Sequence, residues 1–198
     1  METDRMNHNL CAEYQNIRLC PLCREEVELL RVWRNNPALN TYLRPIGFLT
    51  VEMQEAWFQA YLQDSSQIIF EITETAYLHR VVGSVAIYGF KGDTAEIGKI
   101  VVGDPEAHGM KAGYFGMLLA AWVGFQQLGI HRYHLDVHEK NMPARTIYQQ
   151  LGFKTTGKHP FSKGGAELDM ELTKAEFEAN CHCLKEILLY RGKKDLLL

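Results

Sequence analysis

An excess of positive charge, a leader-like apolar run and low-complexity linkers are all missing from this 198-residue chain. Its 21 Lys and Arg stand against 24 Asp and Glu for a net charge of −3, and the pI is near 6.2. So weak a field gives no general grip on nucleic acid or an anionic membrane, and neither is expected as a partner. Residues 1–16 are polar and lack the apolar core of a signal peptide, and no stretch approaches the length of a membrane span, so the chain reads as cytoplasmic. Cysteine is sparse and odd in number, five in all. Cys20 and Cys23, taken with Cys181, His182 and Cys183, have spacings that suit a zinc or redox site. Reduced thiols are the norm in cytosol, so the expectation is small side chains and no metal.

What is present is 46% apolar and 23% charged residues, enough for one domain with a sizeable core. The spacing predicts a first strand at 17–19 and a helix at 24–33, with Val27, Leu30 and Trp33 or Leu29 and Val32 on its buried side, closed by Pro37. After a loop at 40–49, a second helix spans 50–62, with Thr50 as N-cap, Met53 and Trp57 on one face, and Glu52 and Glu55 near its positive end. Strands follow at 68–73, 81–90 and 95–102, with a hairpin turn at 91–93. A helix over 113–128 carries Phe115, Leu118, Leu119, Trp122 and Phe125 as one buried stripe. A strand at 133–137, a short helix at 143–150, an irregular hairpin at 157–165 and a strand at 166–172 complete the body, before a helical segment at 173–190 and a frayed tail at 193–198. This succession, without internal repeats, predicts a single α/β (α+β) domain: a mixed, mostly antiparallel twisted sheet with helices on both faces. A flexible tail over 1–15, a body over 16–173 and a C-terminal helix and tail over 174–198 are its expected divisions.

The richest stretch is 101–153. A strand end runs into the turn His108, Gly109, Met110, Lys111, Ala112, Gly113 and then a long helix, a design that points several backbone N–H groups at the positive helix end and suits a diphosphate. Downstream stand Asn141, Ala144, Tyr148, Gly152 and Phe153. Their spacing resembles the later motif of the GNAT superfamily of acetyl-CoA-dependent N-acetyltransferases, and the resemblance covers about residues 16–173. Within it, the segments around Ile17, Arg18 and Leu19, Trp33 to Pro37, Trp57 and Phe58, and Ala95 to Gly98 look most like the RimJ/RimL branch with its aminosugar-nucleotide N-acetyltransferases. Cys20 and Cys23 fall where that family has an ordinary strand end.

The resemblance implies a direct acetyl transfer from acetyl-CoA to a primary amine, without metal. It places the diphosphate on the turn residues His108 to Gly113 and Tyr114, and the pantetheine arm along Ile100, Val101 and Val102, with Val101 or Val102 as oxyanion donor. Asn141 and Ala144 would meet that arm, and Asn141 could also cap the helix that carries Tyr148. Tyr148 matches the family's general acid for the thiolate, and Glu96 is the candidate base, with His134, Asp136 and His138 as alternatives. Trp33, Arg34, Asn35, Tyr42, Arg44, Trp57 and Phe58 would lie near the acceptor, Arg34 binding a phosphate or carboxylate. The family's phosphate loop usually carries a glycine where this chain has Lys111, and only Gly113 matches. Either the loop is reshaped, or the lysine adds a phosphate contact and Gly109 supplies the flexibility instead. The favoured acceptor is a small amine such as an aminosugar nucleotide. A protein N-terminus and a non-catalytic acyl-CoA-binding module are the alternatives, and a homodimer is a possible assembly.

Overall fold

The computed structural model describes residues 9–43, 46–162 and 164–191. The expectations for residues 1–8, for Arg44 and for 193–198 lie outside them. Among the described residues nine strands form one sheet in the order β7-β8-β6-β5-β4-β3-β2-β1-β9. In chain order these are β1 (Leu10–Tyr14), β2 (Ile17–Pro21), β3 (Gln67–Glu74), β4 (Arg80–Lys91), β5 (Thr94–Val102), β6 (Arg132–His138), β7 (Lys154–Pro160), β8 (Ala166–Thr173) and β9 (Leu188–Arg191). Every pairing is antiparallel except that of β5 with β6. The helices are α1 (Val27–Asn35), α2 (Val51–Tyr61), α3 (Ala112–Gln127), α4 (Met142–Leu151) and α5 (Lys174–Asn180).

Alternation along the central strands divides two cores between the two faces. On β3, Ile68, Phe70 and Ile72 enter the main core with α3, while Ile69 turns to the smaller core of Leu22, Val27, Phe58 and Ala86 under α1 and α2. Helices therefore cover both faces, as expected. α3 differs from the expected single stripe, because Ala112, Gly113, Gly116, Met117, Leu118, Leu119, Ala120, Ala121, Val123, Gly124 and Phe125 are all buried. A helix apolar all round is an interior helix.

Several elements correct the sequence reading. Residues 10–14, expected in a tail, form β1 and pair with both β2 and β9. The segment expected to be helical from 173 to 190 is helical only over α5, then turns through 184–186 into β9, the partner of β1. α1 buries Val27 and Trp33 and leaves Val32 exposed. On α2, Thr50 caps as expected, its side chain accepting from the Met53 N–H, but Met53 is exposed and the buried positions are Gln54 and Phe58. Gln54 occupies the core side because its Nε2 donates to the Val27 carbonyl oxygen at 3.2 Å. Cys11 and Cys20, opposite one another on β1 and β2 with Cα atoms 4.4 Å apart, form a disulfide, which corrects the expectation of thiols throughout. Cys20 is thereby unavailable to a zinc site, and burial pushes the Cys181 thiol up to about 12.

Two irregularities in β5 open the sheet near its middle. The pairing of β5 with β4 runs from Ser84 opposite Val101 to Ala86 opposite Gly98, so β5 carries an extra residue, and Lys99 takes φ +51 in this bulge. Its pairing with β6 is confined to Thr94, Ala95 and Glu96 opposite Arg132, Tyr133 and His134. Beyond Glu96 the two parallel strands part, and among the described residues the β6-facing edge of β5 has no strand partner.

Candidate active site

The parted strands open a cleft of about 920 Å³ at the start of α3. It is lined by Val102 of β5, by Ala107, His108 and Gly109, by Lys111, Ala112, Gly113 and Tyr114, and by Pro143, Ile147 and Gln150 of α4. No side chain caps α3. Its first backbone bond is from the Phe115 N–H to the Lys111 carbonyl oxygen at 3.0 Å. The N–H groups before it therefore face the cleft at the positive end of a 16-residue helix. Lys111 itself holds φ +58, the left-handed conformation a glycine would take without strain, and Gly109 takes φ +88. The loop thus keeps the glycine-type backbone with a lysine in it. A Cβ on Gly113 would stand 3.3 Å from both Ile147 Cδ1 and Val102 Cγ2, so the glycine lets α3, α4 and β5 converge at the floor of the cleft.

Backbone direction along β5 is set by its end. The Gly103 N–H donates to the Val82 carbonyl oxygen at 3.0 Å, and the Val101 carbonyl crowds Gly83 on β4. Alternation then turns the Val102 N–H toward the open side, into the cleft. Of the expected cofactor residues, Ile100, Val101, Met110, Asn141, Ala144 and Tyr148 are not in the cleft lining. Met110 and Ile100 pack against the main core, and Asn141 caps α4, its Oδ1 accepting from the Ala144 N–H at 3.3 Å.

Tyr148 is buried, its ring 5.7 Å from that of Phe153. Burial, with a smaller contribution from Tyr88, raises its phenol well above the ordinary value, so the hydroxyl keeps its proton at neutral pH. Glu96 is exposed on the sheet face away from α3 and borders a second cavity of about 260 Å³. His134 and Asp136 share that cavity. His138 lies elsewhere, buried between the rings of Tyr42 and Phe161 at 5.2 and 5.1 Å.

The expected acceptor residues divide. Trp33 is buried on Gly103, where any Cβ would strike its ring, and it roofs the end of β5 as a core residue. Asn35 donates to the Leu49 carbonyl oxygen at 2.8 Å and accepts from the Leu49 N–H at 2.9 Å, so its amide braces the segment leading into α2. Trp57 stacks on Tyr61 at 5.6 Å. Arg34 is half-buried, and desolvation lowers its pKa. The Lys99 ammonium lies 4.3 Å over the Tyr88 ring and donates to Gln67 Oε1 at 3.1 Å. Partial desolvation lowers its pKa too; Glu96 and Asp64 oppose the shift, and Arg34 adds to it.

Three features escaped the sequence reading. Pro143, Ile147 and Gln150 close the cleft, but on a short helix they read as spacers around Tyr148. Arg80 pairs with Asp104 at 2.6 Å and with Glu106, pinning the segment before the loop to β4. No local spacing announces a pair 24 residues apart. Asp136, His159 and Glu167, from three neighbouring strands, bring ligand atoms within 4.8 Å of one another.

A family model described as an acetyltransferase (GNAT) domain matches residues 16–154. An uncharacterized protein of Methanocaldococcus jannaschii is 26% identical over 161 residues, 79% of this chain and 32% of its own length. The chain thus spans about a third of the curated relative it matches. The fold is similar to that of the Vibrio cholerae spermidine N-acetyltransferase solved in complex with CoA and spermine, with TM-score 0.73, 19% identity and coverage of 82% of this chain and 98% of that one. It is also similar to the nucleotide-linked sugar GNAT FdhC, with TM-score 0.67, 19% identity and coverage of 83% and 90%.

Proposed function

This chain belongs to the GNAT acetyltransferase family, whose members use acetyl-CoA, and from that membership we propose that it acetylates the primary amine of a small, partly anionic acceptor such as an aminosugar nucleotide. The cleft fits the donor: helix-end N–H groups and the Lys111 ammonium for a diphosphate, an open strand edge for a peptide-like arm, and Gly113 keeping the floor low. When bound, acetyl-CoA supplies the acetyl group as a thioester. The Val102 N–H donates toward the carbonyl oxygen as negative charge grows there. As the amine nitrogen bonds to the acetyl carbon and the C–S bond breaks, Tyr148, protonated, would give its proton to the leaving sulfur and regain one from the proton the new amide nitrogen sheds. Glu96, exposed at the base of the parted strands, takes the proton of the amine and passes it to solvent.

The observation that carries the acceptor class is a pair of cations on this side of the sheet, half-buried Arg34 and the Lys99 ammonium over the Tyr88 ring, with Lys99 under the influence of both Arg34 and Glu96. Arg34 disfavours the charged Lys99 ammonium, and an anionic group between them relieves that repulsion. An acceptor with a phosphate at Arg34 and Lys99 and an amine at Glu96 satisfies both ends. Trp33, Asn35 and Trp57 then serve by fixing α1 and α2 around Arg34. This division also fits the RimJ/RimL-type branch that the residues around Trp33 to Pro37 resemble.

The test is thiol release from acetyl-CoA with a panel of aminosugar nucleotides, polyamines and peptides. Turnover on the nucleotides is expected, and Tyr148→Phe should reduce it about 10²- to 10⁴-fold with acetyl-CoA affinity unchanged. Turnover on polyamines or peptides alone would overturn the acceptor, and full activity of the variant would overturn the role of Tyr148. Binding of acetyl-CoA without turnover on any amine would make the protein an acyl-CoA-binding module.

A further inference from the structure

The smaller cavity, about 260 Å³, opens where β5 and β6 are still paired, on the face away from α3. Ala95, Tyr133 and Leu135 belong to the main core, so alternation sets Glu96, His134 and Asp136 together on the other face, where they line the cavity with Lys91 and Thr94. Gly89, at φ +60, keeps the opposite side low: a Cβ there would stand 3.2 Å from Glu96 Oε1. Asp136 lies directly opposite Asp169 on β8, a like-charge cross-strand pair that is unfavourable unless something positive is near. On β7, His159 takes up the neighbouring carboxylates, Nδ1 at 2.9 Å from Asp169 and Nε2 at 3.3 Å from Glu167. Burial, Asp169, Glu167 and Glu96 all raise the Asp136 carboxyl, and His159 opposes them. Two carboxylates, Glu96 and Asp136, thus share the cavity with a single lysine, Lys91, and Glu96 in turn acts on the Lys99 ammonium.

Resting on the acetyltransferase reading, we infer that this cavity seats the acceptor's amine as an ammonium held between Glu96 and Asp136, which makes Asp136 a specificity-determining residue for the acceptor. Glu96 alone could take a proton. A second carboxylate is what binds the cation before that proton leaves and keeps the amine end of a doubly charged acceptor away from Arg34. Neutral hydroxyl analogues of the amine should be poorly bound for the same reason.

The experiment is steady-state kinetics of the full chain with the best amine found in the panel, comparing wild type, Asp136→Asn and Asp136→Glu, with acetyl-CoA affinity and thermal midpoint measured in parallel. Asp136→Asn should raise KM for the amine about tenfold, with kcat, acetyl-CoA affinity and thermal midpoint close to wild type. Asp136→Glu should restore most of the lost affinity, which a purely structural role would not require. An unchanged KM in the asparagine variant, in an active enzyme, overturns this inference and leaves the acetyltransferase reading intact. Loss of wild-type activity on treatment with a chelator would assign the Asp136, His159 and Glu167 group to an ion and overturn the amine seat. Wild type without turnover on any amine fails the underlying reading instead.

Discussion

Lys111 is the residue at which sequence and backbone disagree most. A left-handed non-glycine residue costs about 1–2 kcal/mol, and the chain pays it at the turn into α3. Lys111→Gly should therefore stabilise the protein by about 0.5–1 kcal/mol, because glycine's greater freedom in the unfolded chain offsets part of the relief. Thermal unfolding checks this, and a lower midpoint would mean that the lysine side chain makes contacts worth more than the strain. Acetyl-CoA affinity should stay within about tenfold, or 1.4 kcal/mol, by calorimetry; abolished binding would make the ammonium essential. The replacement of the family glycine was visible in the sequence, but not its consequence. Whether a lysine reshapes a loop or is forced into it depends on how firmly the flanking segments are held, here by Arg80 on one side and by buried Ala112 and Gly113 on the other. Asn141 and Thr50 were legible as caps because a cap is a local bond, complete within four residues.

α3 shows what an element adds. Gly116 and Gly124 sit where a Cβ would collide with Ile72 and with the Tyr133 hydroxyl respectively. Tyr133 is fully buried, and among the described residues its hydroxyl oxygen has no hydrogen-bond partner. Gly124→Ala should thus destabilise the fold by about 1–3 kcal/mol. Tyr133→Phe alone should be neutral or stabilising by about 1 kcal/mol, since it removes an unsatisfied buried group. In the double variant the phenylalanine should recover much of the alanine's cost, and denaturant midpoints of the four proteins measure the coupling; strict additivity would sink the contact. The existence and order of most helices and strands were legible from periodicity. The inner face of α2 was not, because a glutamine bonded to a buried carbonyl reads as a surface residue. Nor was β9, because four residues after a broken helix carry too little pattern to distinguish a strand that exists only by pairing with β1.

At the scale of the whole molecule, acid stability is concentrated in a few carboxylates. Burial alone would raise Glu74, but the N–H groups of Leu78, Tyr77 and Ala76 and the Asn16 amide outweigh it and hold the carboxyl at about 2. Lys154 and Thr173 hold Glu176 at about 2 as well. Both folded values lie below the ordinary carboxylate value, so the stability they supply is complete above about pH 5 and is lost as pH falls toward 2. Glu74→Gln should lower stability at neutral pH and flatten that acid limb, as urea midpoints between pH 2 and 7 would reveal; an unchanged limb would remove Glu74 from it. Glu74 lies on β3 and Asn16 between β1 and β2, so this carboxylate ties distant parts of the chain together. The sequence by itself determined the fold class, the order of most elements, the donor class and the caps, because periodicity, turn chemistry and a motif of fixed spacing are properties of short stretches. Tertiary structure alone decided the rest. Strand pairing joined Cys11 to Cys20, set His134 opposite Glu96 and brought Asp136 into the same cavity, and packing turned Trp33 and Asn35 inward as supports and brought Arg34 close enough to act on Lys99. Those outcomes depend on which segments become neighbours in space, and no local stretch of chain carries that information.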